Sequence, residues 1–452
     1  MAVRWQVYLA KLGTPVGGDH DGTEYLETHN LIYDTEVLDS DHTDKDEYII
    51  YNPVLTREAN QAGSFECDIP PTNSGYDKFD TFMLNVSGLL KTYISIYRDG
   101  EPIWQGRITE INIDFYKNKH IYAEGDMALY NDFQVKVNWA DYVEYQDEEG
   151  IYIYYISQFF RDMAQVPLGL PYDSEGKMIS PSDDFPEIAL STVEMNLNDV
   201  VYMSRWDALT DSLLNGMLKN YENRAFLYIT RTRTSGSSNI FKRWLNLLVL
   251  NNDGTVMYGN APLTSQTIEY GKNLLDLSIS YNANEIYSVI HAYGYTTKGW
   301  WIFKSTNEID VMNYDLDLLA QYGWIEKVIS IDGESTTVEK LNDLIRNKLY
   351  ELKNESKVNV EITIKAIDLV YAGENTDRLD FMKRTHIASE PHGIDDIYLC
   401  TKTVEYLDDP SRNEYTFGRN SNSLSSSQAV SRRKTDKSYD ISTVTKSYVT
   451  NS

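Results

Sequence analysis

The strongest constraint on the fold is a run of alternating apolar and polar residues over 92–125, interrupted by two turn-forming stretches. The first is Asp-Gly at 99–100, a pair typical of two-residue hairpin turns, and the second is Lys-Asn-Lys at 117–119. A period of two is typical of strands with one buried face. The run therefore predicts three consecutive antiparallel strands, which together with the N-terminal strands close into a small barrel. The alternating positions are Ile94, Ile96, Ile111, Ile113 and Phe115.

Length and composition indicate several β-rich domains. The chain has 452 residues, which predicts two to four domains. It contains 35 tyrosines against 13 phenylalanines and 8 tryptophans. Tyrosine suits half-buried sheet faces and wet interfaces, because its ring packs while its hydroxyl stays solvated. The composition therefore favours β-rich domains that contact other proteins.

The hydrophobic period changes twice along the chain. Helical spacing begins near Tyr152, where Pro167 is expected to end the helix, and a second helical face runs from Trp206 to Met217. We interpret the aromatic residues of this middle block as core and not as a cofactor site. A second β-rich block begins near residue 273. It contains a helix, which Thr336 and Glu339 open as a capping box.

The chain is acidic, with a formal net charge of −27. Such a surface repels nucleic acid and anionic membranes, which disfavours conventional DNA binding. The last residues have the opposite sign: 431–452 contain five Lys or Arg and two Asp. This contrast suggests that the basic tail docks on an acidic surface, such as that of a neighbouring copy.

Two cysteines, Cys67 and Cys400, are too few for a disulfide framework, and neither lies in a CxxC pair. Two reduced thiols are the preferred interpretation, with one long-range disulfide as the alternative. The N-terminus lacks the apolar core of a signal peptide, and no stretch approaches 18 consecutive apolar residues. We therefore expect a soluble protein made in a cytoplasm, without membrane insertion.

One short stretch, SEPHGIDDIYLCTK at 389–402, places His392, Asp395, Asp396 and Cys400 close together in sequence. It allows two interpretations, a nucleophilic or metal site and a turn followed by a strand. A Cys/His dyad requires contact between the two side chains. Strand rise instead places Cys400 about 20 Å from the turn. We therefore expect Cys400 to be a half-buried packing residue.

No other pattern predicts catalysis or metal binding. The sequence has no GxSxG, HExxH, P-loop or post-strand GxGxxG motif. The acidic stretch at 19–46 lacks the ligand spacing of a calcium loop and fits a solvated loop better. We accordingly predict no catalytic, cofactor-binding or metal-binding residues, and no enzymatic activity.

Five segments, in order, resemble phage tail hub proteins of the tail-associated lysin or prophage endopeptidase tail family, which are similar to the baseplate hub of contractile tails. They are spread over residues 52–418, which is most of the chain, and it is their ordered series rather than any single motif that is specific. The segments are 52–79, 94–133, 271–294, 322–352 and 390–418.

The resemblance implies an α+β, β-rich fold of two small β-barrel domains with interposed mixed α/β domains. Combined with the patterns above, it predicts a first barrel domain over 1–135 and an α+β domain over 136–270. A second barrel-like block then spans 271–418, with a helix at 337–353, and a Ser/Thr/Asn-rich extended tail spans 419–452.

The resemblance also implies a structural role at the virion tail tip. A homotrimer is expected to close or continue the tail tube and to join the hexameric distal tail ring to fibre, spike or tape-measure components. Three copies, each of −27, carry −81 formal charges. A channel lined by acids lets DNA pass without binding, because like charge removes the gain from counterion release.

Two other functions compete with this one. A tail-associated cell-wall hydrolase would use Cys400 and His392, but relatives with such activity are expected to carry it in a C-terminal extension, and here only about 30 residues follow Gly418. A receptor- or carbohydrate-binding module is suggested by the tyrosine excess and by Trp300-Trp301.

Overall fold

Strands dominate the described part of the chain, which a computed structural model covers in seventeen segments. These are 3–15, 24–39, 45–77, 92–146, 152–164, 166–167, 177–181, 189–192, 200–218, 221, 224–233, 240–251, 254–282, 286–298, 305–335, 337–354 and 359–418. The chain divides into two units. The large unit comprises Met1–Ser278 and Ile362–Asn420, and the small unit comprises Ile279–Glu361 and Ser421–Ser452.

The first eighteen strands, in chain order, are β1 (Trp5–Pro15), β2 (Glu24–Asp34), β3 (Tyr51–Glu58), β4 (Ser64–Ile69), β5 (Thr92–Arg98), β6 (Glu101–Ile113), β7 (Lys119–Gly125), β8 (Gln134–Asn138), β9 (Val143–Gln146), β10 (Tyr152–Tyr155), β11 (Val166–Pro167), β12 (Lys177–Pro181), β13 (Ala189–Thr192), β14 (Val200–Ser204), β15 (Ala225–Arg233), β16 (Ile240–Leu250), β17 (Val256–Tyr258) and β18 (Leu263–Glu269).

The remaining strands are β19 (Leu274–Asn282), β20 (Val289–Lys298), β21 (Ser305–Tyr314), β22 (Glu326–Ser335), β23 (Asn359–Ala366), β24 (Arg384–Ser389), β25 (Ile394–Tyr406) and β26 (Glu414–Gly418). The helices are α1 (Thr35–Asp39), α2 (Ile156–Ala164), α3 (Arg205–Asp207, continued by a π-helical segment Ala208–Met217), α4 (Leu316–Tyr322) and α5 (Val338–Asn354).

The first strands of the large unit form a curled, half-barrel sheet. Within it β2 pairs with β1, and pairing continues through β5, β6, β7, β4 and β3, each time antiparallel. β25 then pairs with β3, and both β24 and β26 pair with β25. Two late strands of the sequence are thus joined to the N-terminal sheet through β25. The β-rich α+β fold class is confirmed.

The predicted meander over 92–125 is present as β5, β6 and β7. The alternation is wrong at its end, because Ile113 and Phe115 are 61% and 93% exposed, and the second turn lies at Asp114–Asn118 and not at 117–119. Asp99 and Gly100 both have positive φ, 53° and 83°, as a tight hairpin turn requires. Inward-facing apolar side chains of these strands and of β1 and β4 form one core. Its fully buried members include Trp5, Phe65 and Ile94.

The second core of the large unit lies between the helices and β15–β16. Phe159, Phe160, Leu209 and Leu213 are fully buried in it, beside apolar residues of β15 and β16. The aromatic and apolar residues of the middle block are therefore core residues, as expected. α3 begins at a cap in which the Ser204 hydroxyl accepts from the Asp207 backbone N–H at 3.0 Å.

The small unit is a three-stranded sheet in the order β21-β20-β22, with α5 packed on one face. β20 is central, antiparallel to β21 and parallel to β22. Leu341, Ile345 and Leu349 of α5 are buried against Ile290 and Ala292 of β20. The helix predicted at 337–353 is thus present as Val338–Asn354.

Several sequence-based expectations need correction. The helix predicted from Tyr152 begins at Ile156, because Tyr152–Tyr155 form a strand paired with β9 and β13. The cap of α5 is at Thr337, whose hydroxyl accepts from Lys340 N–H at 3.3 Å, one residue later than predicted.

The four-segment domain division stays a prediction, and the tail at 419–452 lies outside the described residues. Trp300-Trp301 lie outside them as well. Of the acidic stretch at 19–46, residues 24–39 and 45–46 are described, and they lie in β2, α1 and a 3-10 helix, so the expected solvated loop is wrong for these residues. No helix in the described segments is long and apolar enough to cross a bilayer.

Candidate functional site

The Cys400/His392 hypothesis is tested first by the position of each residue. Glu390–His392 form a single 3-10 turn, and Gly393 follows in the left-handed region with φ 66°. Cys400 lies six positions beyond the start of β25, which corresponds to about 20 Å of strand. The structure therefore confirms the turn and the strand, and it does not bring Cys400 and His392 together.

The thiol of Cys400 is buried in the sheet. Its Sγ contacts the Lys402 carbonyl at 3.4 Å, and its side chain has no exposed surface, so it is more buried than the sequence suggested. Burial raises the pKa of Cys400 far above the ordinary value, and burial does the same for Cys67. Both cysteines are free thiols. A thiol held protonated is a poor nucleophile.

His392 has local partners instead. Its Nδ1 lies 2.7 Å from the Ser389 hydroxyl, and its ring meets the Tyr270 ring edge-on at 6.0 Å. Among the described residues, no carboxylate hydrogen-bonds to this imidazole. Asp395 pairs with His386 at 2.9 Å, and Asp396 accepts from the next backbone N–H. These contacts fix a turn and do not assemble a catalytic relay.

A metal site is likewise not formed by the described side chains, since no group of three His, Cys, Asp or Glu in these segments is placed to hold an ion. The strongest concentration of interacting charge lies elsewhere, at four residues that the sequence analysis missed. They are Arg57, Arg98, Asp380 and Glu405, here called the four-charge cluster.

Each arginine of the four-charge cluster contacts both acids, and each acid uses a different oxygen for each arginine. Arg57 lies 2.6 Å from Glu405 Oε2 and 2.5 Å from Asp380 Oδ1. Arg98 lies 3.2 Å from Glu405 Oε1 and also pairs with Asp380 Oδ2. All four side chains are largely buried, and their formal charges cancel. The cluster joins β3, β5 and β25 to the segment before β24.

The neighbouring charges in the four-charge cluster shift the pKa values of Asp380 and Arg98. Burial alone would raise the pKa of Asp380, but the charges of Arg98 and Arg57 and their hydrogen bonds outweigh it and hold that pKa well below the usual range. For Arg98, burial works against the charge, yet Asp380 and Glu405 raise its pKa. Asp380 and the two arginines are therefore charged at neutral pH.

A buried ion pair between Arg243 and Asp126 lies near the four-charge cluster. Arg243 Nε contacts Asp126 at 3.0 Å, and the same guanidinium donates to Gln105 Oε1. Gln105 in turn donates to the Ser95 hydroxyl at 2.6 Å. A cavity of about 240 Å³ is lined by members of both groups, including Arg57, Arg98, Gln105, Asp126 and Asp380.

Paired charges of both signs line the cavity, and no reactive nucleophile or metal-ligand set accompanies them among the described residues. Such an arrangement orients strands and stabilises their packing. One sequence signal pointed to it: the inward positions of β3 are Pro53, Leu55 and Arg57, so an arginine occupies a position where the alternation predicts an apolar residue. Its acidic partners are more than 300 residues away and cannot be read from the sequence.

The comparisons with known proteins bear on the later part of the chain. Residues 263–428 match the family model described as prophage endopeptidase tail. The resemblance to this family is therefore confirmed for residues 263–428. This segment holds both acids of the four-charge cluster, Asp380 and Glu405, as well as His392 and Cys400. Arg57 and Arg98 lie before it.

Solved structures of phage tail proteins match 92–95% of this chain at low sequence identity. A tail protein from Neisseria meningitidis is similar with a TM-score of 0.46 and 10% identity, over 93% of this chain and 97% of the other. A 43 kDa prophage tail protein from Shewanella oneidensis gives 0.42 and 10%, over 92% and 98%. A prophage tail protein from Listeria monocytogenes gives 0.39 and 13%, over 95% and 98%. No curated protein matches the sequence.

Proposed function

We propose that this chain is a structural protein of the phage tail, acting as the tail-tip or baseplate hub of a phage or phage-like particle. The observation that carries the proposal is the match of residues 263–428 to the prophage endopeptidase tail family. Asp380 and Glu405, both in this segment and both in the large unit, form ion pairs with Arg57 and Arg98 of the N-terminal sheet.

In this proposal three copies form a ring that continues or closes the tail tube. The ring joins the hexameric distal tail protein to fibre, spike or tape-measure components. Exposed aromatic residues support such contacts: at the tip of the β6–β7 hairpin, Phe115 is 93% exposed and Tyr116 is 77% exposed. Asp114 holds the tip by accepting from the Asn118 backbone N–H at 2.8 Å. An exposed aromatic pair at a hairpin tip suits a protein interface.

The proposed role in genome passage depends on charge. With −27 per chain, a ring repels the DNA backbone and lets DNA pass without specific binding. The proposal requires Asp and Glu on the channel wall, and a wall lined by Lys and Arg contradicts it.

The proposal assigns no enzymatic activity to this chain. Burial of Cys400 and its separation from His392 argue against the hydrolase alternative. Incubating the purified protein with peptidoglycan, beside Cys400→Ser, tests this directly. We expect no muropeptide release from either protein. Release by the wild type that is lost in Cys400→Ser would establish the hydrolase instead.

Location in the particle is the direct test of the tail-tip role. Antibody raised against the purified chain and coupled to gold is applied to intact particles for negative-stain microscopy. We expect label only at the end of the tail distal to the head. Label along the tube, at the head, or absent from intact particles contradicts the proposal.

A further inference from the structure

The sheet of the small unit has one face covered by α5 and one face in contact with solvent. Leu341 and Ile345 of α5 cover the face that carries Ile290 and Ala292. The registers place the alternate residues of all three strands on the other face, with His291 opposite Met312 on β21 and Val328 on β22. This second face is called the open face below.

The open face carries apolar side chains that are unusually exposed for a sheet. Met312 is 51% exposed, Tyr314 is 47% exposed and Val328 is 60% exposed. Exposed apolar side chains grouped on one surface mark an interaction site more often than isolated ones do. β21 and β22 are also the outer strands of this three-stranded sheet among the described residues. Such strands offer backbone groups to an added segment.

The same face is acidic. Asp310 and Glu326 lie on either side of His291, whose two ring nitrogens are 3.1 Å from Asp310 and 3.5 Å from Glu326. Both acids keep much of their surface in solvent, and Glu308 extends the row along β21. A ligand for this face therefore needs positive charge together with apolar or aromatic groups.

The chain itself contains a segment of that chemistry. Residues 431–452 carry Arg432, Arg433, Lys434 and Lys437 ahead of an alternating stretch, ISTVTKSYV at 441–449, rich in β-branched residues. Its net charge of +3 stands against −27 for the chain. β-branched and aromatic residues favour extended pairing on a sheet. Thirteen positions separate Gly418, the end of β26, from residue 431, a reach of up to about 43 Å.

We propose that residues 431–452 bind the open face of the small unit. The basic residues pair with Glu308, Asp310 and Glu326, and the apolar residues of 441–449 pack on Met312, Tyr314 and Val328. Residues 431–452 make the same contacts whether they bind the open face of their own chain or that of a neighbouring copy. The proposal does not depend on the tail-tip role, because it concerns only the charges and exposed surface of this chain.

A labelled peptide of residues 431–452 and a protein ending at residue 430 test the proposal by fluorescence anisotropy. We expect saturable binding that weakens at least tenfold between 50 and 500 mM salt, because exposed ion pairs are screened. The double variant Asp310→Asn with Glu326→Gln is expected to weaken binding at least fivefold, and so is Val328→Asp. A peptide with Arg432, Arg433 and Lys434 replaced by Glu is expected not to bind.

The matched control is Glu101→Gln with Glu374→Gln, which removes the same charge from exposed positions of the large unit. It is expected to leave binding within twofold of the wild type. No binding to the truncated protein, or equal weakening by both double variants, overturns the proposal. Concentration-dependent association of the truncated protein that Val328→Asp abolishes, without peptide binding, assigns the face to a second copy and also overturns it.

Discussion

Arg57 and Glu405 form a 2.6 Å ion pair across 348 positions of sequence, joining β3 to β25 inside the large unit. Asp380 and Arg98 complete the cluster around them. This pairing holds a late segment of the chain, matched by the prophage endopeptidase tail family, against the N-terminal sheet. It gives the large unit a polar centre beside its apolar cores.

Removing one acid of the cluster is expected to destabilise the large unit strongly. Glu405→Gln keeps the shape of the side chain but leaves Arg57 and Arg98 without one of their two acids. Breaking a buried ion pair in this way costs about 3–5 kcal/mol of unfolding free energy. Urea denaturation followed by tryptophan fluorescence measures the loss, since Trp5 and Trp104 lie in the adjacent core.

The control for Glu405→Gln is Glu414→Gln, whose partner Lys365 is 2.9 Å away at the surface. Solvent screens exposed pairs, so this variant is expected to change stability much less. Equal urea midpoints for the two variants contradict the structural importance of the cluster.

The four-charge cluster also predicts how the stability of the protein depends on pH. Because the pKa of Asp380 is lowered in the folded protein, the unfolded chain binds a proton first as the pH falls. The contribution of Asp380 is therefore fully present above about pH 4, the ordinary range of an aspartate, and is lost progressively below it. Asp380→Asn is expected to be less stable at pH 7 and to lose less stability between pH 4 and pH 2. Urea midpoints at successive pH values measure both slopes, and parallel slopes contradict the assignment.

Both thiols are expected to be unreactive in the folded protein. Cys67 and Cys400 are buried, and burial raises the pKa of each. A colorimetric disulfide reagent at pH 8 should therefore modify almost no thiol in native protein and two per chain in 6 M guanidinium chloride. Rapid modification of one thiol without denaturant, abolished by Cys400→Ser, contradicts the packing role of Cys400.

The backbone around Gly125 lies so close that we expect this position to accept no side chain. A Cβ there would lie 1.8 Å from the Ala62 carbonyl oxygen, and the Gly125 N–H donates to the Gly63 carbonyl at 3.1 Å. Gly125→Ala should cost about 3 kcal/mol, because backbone and not a flexible side chain must shift. Gly100→Ala is the comparison: no atom lies within 4 Å of its Cβ, and only the positive φ of 83° costs about 1 kcal/mol. Urea denaturation measures the stability lost by each variant. A larger loss for Gly100→Ala than for Gly125→Ala contradicts the close contact between Gly125 and the Ala62 carbonyl.

Local signals predicted much of the β structure. The Asp99-Gly100 turn and the alternation around it specified β5 and β6, since a two-residue turn fixes the register of its own hairpin. The helix α5 followed from its apolar spacing. Tyr152 was assigned to a helix wrongly, because short apolar runs fit both periods and pairing with β9 decides the outcome.

The candidate site was less predictable for a physical reason. The charges of Arg57 and Glu405 carry no local pattern that marks them as partners, and only the pairing of β25 with β3 brings their strands together. The turn at His392 and the strand through Cys400 could be predicted, because the rise of a strand is a distance that is fixed without tertiary contacts.

The trimeric hub is the central claim, and the mass of the purified protein in solution tests it most directly. Sedimentation velocity is measured over a range of concentrations, alone and with the hexameric distal tail protein. We expect a species of about 156 kDa, three times the 52.0 kDa chain mass, that forms alone or is recruited onto the ring. A chain that stays at 52.0 kDa under every condition, including with the ring present, contradicts the hub.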